Sequence, residues 1–154
     1  GSEWVHAIHK HLGGLPPILD LNAEMTLAEI LVAGSAQQLF SAAHDVSEGG
    51  IAQTIVEMAM RSGVGAHLEV PAGLDAFTFL WSESATRAVV VVPQDRNDEF
   101  LALCESKSFP VTKIGSVDSL SKSIEIAGVF GETISLDIEE LRAISEETLP
   151  RLFG

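Results

Sequence analysis

The chain is 154 residues long and sets 9 Lys and Arg against 22 Asp and Glu, a net charge of −13. Such an acidic surface repels phosphate backbones and anionic lipid, which excludes nucleic-acid or membrane binding by bulk electrostatics. The single cysteine, Cys104, excludes an internal disulfide framework, and 46% hydrophobic residues with few charges point either to apolar surface that faces a partner or to a large core.

Gly1-Ser2 reads as the remnant of a protease cut on an excised domain, with no signal peptide behind it. Residues 3–21 hold three histidines, Gly13-Gly14 and Pro16-Pro17, and read as an extended lead-in to one domain over residues 22–154. Asn22 is expected to cap a helix over residues 23–31 that stops at Gly34, with Leu27, Ile30 and Leu31 on one face and Glu24 and Glu29 turned away. Residues 39–44 read as a strand. A helix over residues 51–61 follows, striped by Ile51, Ile55, Met58 and Ala59 and ended by Gly63 and Gly65.

Residues 66–70 read as a strand, and 74–81 as an apolar segment that could be either helix or strand. The β-branched run over residues 87–92 is expected to be a strand buried on both faces. A helix over 95–106 precedes three short strands, at 111–117, 123–127 and 133–136, broken by Gly115, Gly128 and Gly131. Asp137 with Glu140 forms a capping-box pattern ahead of a last helix lined by Ile138, Leu141, Ile144 and Leu149. Interleaved strands and helices with some short connections predict an α/β (α+β) domain: a mixed β-sheet layered with helices.

Two segments have the residue types of a binding site. The turn His44-Asp45-Val46-Ser47-Glu48-Gly49-Gly50 ends a strand and opens a helix. Unpaired N–H groups there, reachable past glycines, suit an anion such as phosphate, with Ser47 adding a hydroxyl. Asp45 and Glu48 oppose an anion unless a cation bridges them. The plainer alternative is a Ser47 cap on a tight glycine turn. Second, Ser82-Glu83-Ser84-Ala85-Thr86-Arg87 places three hydroxyls, a carboxylate and a guanidinium before a strand, the chemistry of a sugar-phosphate contact. Its alternative is a polar turn closed by an Arg87–Glu83 pair. His6, His9 and His11 lack further ligands apart from Glu3, so no metal site is expected. Cys104, among Phe100, Leu101 and Leu103, reads as a buried thiol, and His67 as a packing or surface residue.

The string Ser41-Ala42-Ala43-His44-Asp45-Val46-Ser47-Glu48-Gly49-Gly50-Ile51-Ala52 resembles the A-H-D-V-S-[DE]-G-G-L-A hallmark of the phosphoribosylformylglycinamidine synthase family, with Ile51 in place of Leu. The resemblance continues through Glu57-Met58-Ala59, Ser82-Glu83-Ser84 with Arg87, Ile114-Gly115-Ser116-Val117, the ending Glu147-Thr148-Leu149-Pro150-Arg151-Leu152-Phe153, and the lead-in His11-Leu12-Gly13-Gly14-Leu15-Pro16-Pro17 with Asp20. It implies the last flanking domain of a synthase that makes formylglycinamidine ribonucleotide in purine biosynthesis, using ATP, Mg²⁺ and ammonia from glutamine. The architecture it implies is shared with aminoimidazole ribonucleotide synthetase, hydrogenase maturation factor E and selenophosphate synthetase.

By that resemblance the catalytic residues lie in domains outside this chain, which is cytoplasmic, inactive alone and carries no cofactor of its own. Its partners would be the remaining synthase domains, a glutaminase subunit and a small accessory subunit. Binding would fall to His44, Asp45, Ser47, Glu48, Gly49, Gly50, Ser82, Glu83, Ser84 and Arg87. The alternatives are a scaffold that binds nothing, or a domain of a related ATP-dependent synthetase.

Overall fold

The computed structural model describes residues 2–11, 13–15 and 17–153. Expectations resting on Gly1, Leu12, Pro16 and the side chain of Leu149 lie outside the described residues. Two compact units form, one running up to Thr54 and resuming over Trp81–Lys113, the other over Ile55–Leu80 and from Ile114 onward.

In the first unit the lead-in departs from the extended form expected of it: residues Glu3–His9 make helix α1. Ser2 caps it by accepting from the Val5 amide at 3.4 Å, and Trp4 packs on Trp81 with ring centroids 5.6 Å apart. An indole anchored this way holds a short helix that could not persist alone. Helix α2 spans Leu21–Ala36. Its cap is Asp20 rather than Asn22, because the Asp20 carboxylate reaches the amides of Asn22 and Ala23 at 2.9 and 3.2 Å. Gly34 does not stop this helix. A Cβ there would lie 2.6 Å from the Phe40 ring, so the glycine makes room for Phe40 instead.

Strand β1 (Ala42–Asp45) pairs antiparallel with β3 (Ala88–Val91), Asp45 opposite Ala88, in a sheet of two strands. The expected two-sided burial of β3 is not met: all four of its residues are half-buried, since a two-stranded ribbon has too little cover. A 3₁₀ turn (Gln94–Arg96) leads into α5 (Asn97–Ser106). The core of this unit is Ile30, Leu39, Phe100 and Cys104, flanked by Phe40, Val90, Val92, Leu103 and Phe109. Phe40 and Phe100 meet edge to face at 6.3 Å, and burial pushes the Cys104 thiol pKa up, away from nucleophile chemistry.

The second unit is a four-stranded mixed sheet in the order β4 (Gly115–Asp118), β2 (Gly65–Glu69), β5 (Ser123–Val129), β6 (Glu132–Asp137). Only β2 and β5 run parallel. Alternation buries Ile124 and Ile126 on one face of β5 and leaves Glu125 on the other. β4 is shorter than the run expected over 111–117, because only residues from Gly115 enter the ladder. Gly128 (φ 83°) does not break β5 either; it takes up a register shift between Ala127 and Val129. The β5–β6 turn at Phe130-Gly131 has φ 52° and 84°, the positive pair a two-residue hairpin requires.

The segment before Trp81 resolves as helix α4 (Ala76–Trp81), started by Asp75, whose carboxylate accepts from the Thr78 amide and hydroxyl and is held below its ordinary pKa chiefly by that amide. Asp137 accepts from the Glu140 amide at 2.9 Å and opens α6 (Ile138–Phe153). Ile138 is fully buried and Leu141 half-buried, but Ile144 is exposed and leaves the expected stripe. Among the described residues no helix is long and apolar enough to cross a membrane.

His67 on β2 bridges three strands. Its Nε2 lies 3.2 Å from Asp118 on β4 and its Nδ1 3.1 Å from Glu125 on β5. The Asp118 bond foremost, with Glu125 in support, raises the imidazole above its ordinary 6.5, against some desolvation. Asp118 is lowered, first by the Leu120 amide and then by His67. A raised His pKa stabilises the fold fully below 6.5 and loses that contribution as pH climbs through the higher folded value. A lowered Asp pKa does so above its ordinary 3.8 and loses it as pH falls through the lower folded value. Thermal melting is therefore expected to fall from pH 6 to pH 8 more steeply in the wild type than in His67→Gln. Parallel pH profiles would show that the bridge contributes nothing.

Candidate functional site

The fold brings the two polar segments together within the first unit. The β1–β3 pairing sets His44 and Asp45 beside the strand that Arg87 opens, and the Val46 amide donates to the Arg87 carbonyl at 3.0 Å. Helix α3 (Gly50–Ser62) starts directly after this point. Gly49 and Gly50 sit at φ 77° and 65°, so the turn requires glycine, and a Cβ on Gly49 would also strike Gln53 at 2.6 Å.

The turn already holds an anion, and it is the protein's own. The Glu83 carboxylate accepts from the Gly49 amide at 3.0 Å and from the Glu3 amide at 2.7 Å. A carboxylate on these amides fits the field at a helix start, and of the amides in the turn it takes that of Gly49, while the Gly50 amide donates to the Ser47 carbonyl. Arg87 does not pair with Glu83 as the simpler reading of its turn supposed. Its Nε donates to the Ser84 carbonyl at 3.1 Å and its terminal nitrogen to the Ser82 carbonyl, closing the turn on itself. Partial burial lowers its pKa, yet the guanidinium stays charged. Ser82 and Ser84 share a hydroxyl–hydroxyl bond of 2.9 Å.

The remaining candidates sit around this knot. Asp45 and Glu48 are exposed, and His44 Nδ1 lies 2.8 Å from the Asp45 carbonyl and 3.3 Å from its carboxylate. Ser47 is exposed, and its carbonyl accepts from the Gly50 amide at 3.0 Å. Among the described residues no group of three or more His, Cys, Asp or Glu gathers to hold a metal ion. His6 and His9 lie on α1, His6 3.7 Å from Glu3 and His9 against the Trp4 ring.

Two further residues complete the knot. Thr54 is buried, and its hydroxyl lies 3.0 Å from the carbonyls of both Asp45 and Gly50, tying the strand end to the helix start. The Gly50 contact was legible as a Thr four residues on in a helix, whereas the Asp45 contact depends on the turn. Thr86 (φ 62°) donates to Glu24 of α2 at 2.6 Å. No spacing links residues so far apart in sequence.

A family model described as AIR synthase related protein, C-terminal domain, matches residues 2–126. The chain belongs to that family. It is 53% identical over its whole length to the phosphoribosylformylglycinamidine synthase subunit PurL of Parafrankia sp. strain EAN1pec, and spans about one fifth of that relative, 20%. Its fold is similar to part of phosphoribosylformylglycinamidine synthase II from Thermotoga maritima, with a TM-score of 0.71 and 18% identity over 81% of this chain and 22% of that one. A structure of PurLQS from the same organism matches 89% of this chain and 24% of that one, with a TM-score of 0.69 and 17% identity. The mixed α/β architecture expected of the sequence is thus the family's own.

Proposed function

We propose that this chain is one domain of a phosphoribosylformylglycinamidine synthase, an ATP-dependent carbon–nitrogen ligase of purine biosynthesis. The observation that carries the reading is 53% identity to a PurL subunit in a match that covers the whole of this chain. In the whole enzyme, ATP phosphorylates the amide oxygen of formylglycinamide ribonucleotide, and ammonia then displaces phosphate to give the amidine, ADP and phosphate. The ammonia source would be a glutaminase subunit, assembled with a small accessory subunit as the name PurLQS suggests for the relative.

The part this chain plays is positional. With Glu83 on the Gly49 and Glu3 amides and Arg87 on two carbonyls, the polar groups suited to a phosphate hold each other. A ligand would have to displace the carboxylate, exchanging one charge-assisted bond set for another with little net gain. A scaffold reading, in which the knot only shapes the domain, rests on the same bonds.

Calorimetric titration of the 154-residue chain with Mg²⁺-ADP, and separately with formylglycinamide ribonucleotide, is expected to give no heat of binding up to millimolar ligand. Heat that disappears in Gly49→Ala would overturn this and make the turn a working phosphate site. The synthase reading is tested on the full-length polypeptide, where ADP release must depend on both ammonia and the ribonucleotide.

A further inference from the structure

Helix α2 carries apolar residues on both sides. Ile30 is buried in the core, with Leu27 and Leu31 half-buried beside it. On the opposite side Leu21, Met25, Ala28 and Val32 recur at intervals of four, three and four, which places them within one narrow stripe. All four are exposed: Leu21 by 67%, Met25 by 64% and Val32 by 71%. An ordinary surface helix reverses this pattern and turns its charges outward. Here the two carboxylates flanking the stripe are drawn sideways onto the protein's own groups, Glu24 to the Thr86 hydroxyl and Glu29 to Lys107 at 2.7 Å. Glu29 is exposed, as the sequence led one to expect, whereas Glu24 is half-buried on the Thr86 hydroxyl rather than turned away. In the segment ahead of the helix Leu15, Ile18 and Leu19 are also exposed.

We propose that the Leu21–Met25–Ala28–Val32 face of α2 is the surface on which the rest of the synthase polypeptide docks. The inference rests on the synthase reading and adds to it where contact is made. Curated relatives matched along the whole of this chain are five times its length, so four-fifths of such a polypeptide lies outside these 154 residues. A second copy of this chain is the poorer occupant, since each copy carries a net charge of −13 and the two would repel. The covering surface is expected to be apolar and uncharged opposite Met25 and Val32, because the stripe offers neither a donor nor a charge to pair.

Peroxide footprinting tests this through the Met25 thioether. Met25 is expected to oxidise at least ten-fold more slowly in the full-length synthase than in the 154-residue chain, with half-buried Met58 and Met60 as internal references. Equal rates in both would overturn the proposal. Protection that grows with concentration of the 154-residue chain alone would mean a second copy covers the stripe, and would overturn it too. Ammonia-dependent ADP release, measured on the same full-length preparation, keeps the two readings apart. A preparation without that activity but with Met25 protected sinks the synthase reading and leaves a covered face. The double variant Met25→Asp, Val32→Asp is expected to leave the melting of the 154-residue chain within a few degrees of wild type while making α2 of the full-length protein open to protease.

Discussion

Gly115→Ala is expected to destabilise the second unit by about 3 kcal/mol, the upper range for forcing extra volume into a closed site. Gly115 lies in β4 opposite Leu68 of β2. A Cβ there would stand 2.1 Å from the His67 carbonyl oxygen and 3.0 Å from the Leu68 Cα, both backbone atoms. No rotamer change relieves such a contact, so β4 must move off β2, and the ladder and the Asp118–His67 contact go with it. Gly73→Ala is the matched control. Nothing lies within 4 Å of its Cβ position, and only the strain of φ +84° remains, about 1 kcal/mol. Urea unfolding of the two variants measures the difference. A Gly115→Ala variant no less stable than Gly73→Ala would mean that β4 does not pack as closely on β2 as its backbone indicates.

Arg87→Glu is expected to have the largest effect on the parent activity. The guanidinium holds the Ser82 and Ser84 carbonyls, and so fixes the turn that presents Glu83 to the Gly49 and Glu3 amides. Reversing the charge removes two charge-assisted bonds, about 1–2 kcal/mol at a half-buried site, and adds a carboxylate to a turn that already has one. The knot opens, and Gly49 and the start of α3 lose their fixed position. In the full-length synthase the expected result is a fall of at least ten-fold in turnover with subunit assembly intact on a sizing column. Arg87→Lys, which keeps the charge and can still reach a carbonyl, is expected to recover part of it. Loss of assembly together with activity would favour the scaffold reading, and unchanged turnover would show that the shape of this turn does not reach the chemistry.

Local signals carried the reading wherever the deciding contact lay within a few residues. The Asp137–Glu140 cap, the glycine turn before α3, the alternation along β5 and the interleaving of strands with helices all follow from neighbours three or four positions apart or from a period of two. The family was legible for the same reason, since His44 to Ala52 is one unbroken string. Misreadings came where a distant residue decides. Gly34 looked like a helix stop until Phe40 took the space beside it, and Gly115 looked like a strand break although it is where two backbones close up.

The sequence by itself therefore determined the class of fold, the family and the two polar segments that the fold brings together. Tertiary structure alone decided what those segments do with their charges. Glu83 finds amides 34 and 80 residues away, and Arg87 turns from Glu83 to carbonyls of its own turn. A charged side chain near the surface takes whichever partner the folded backbone places within about 3 Å, and sequence spacing does not encode that distance once the partners lie on different elements. The same holds for α2, where the sequence reading marked one apolar face, Leu27, Ile30 and Leu31, and only burial shows a second, with Leu21, Met25 and Val32 left bare.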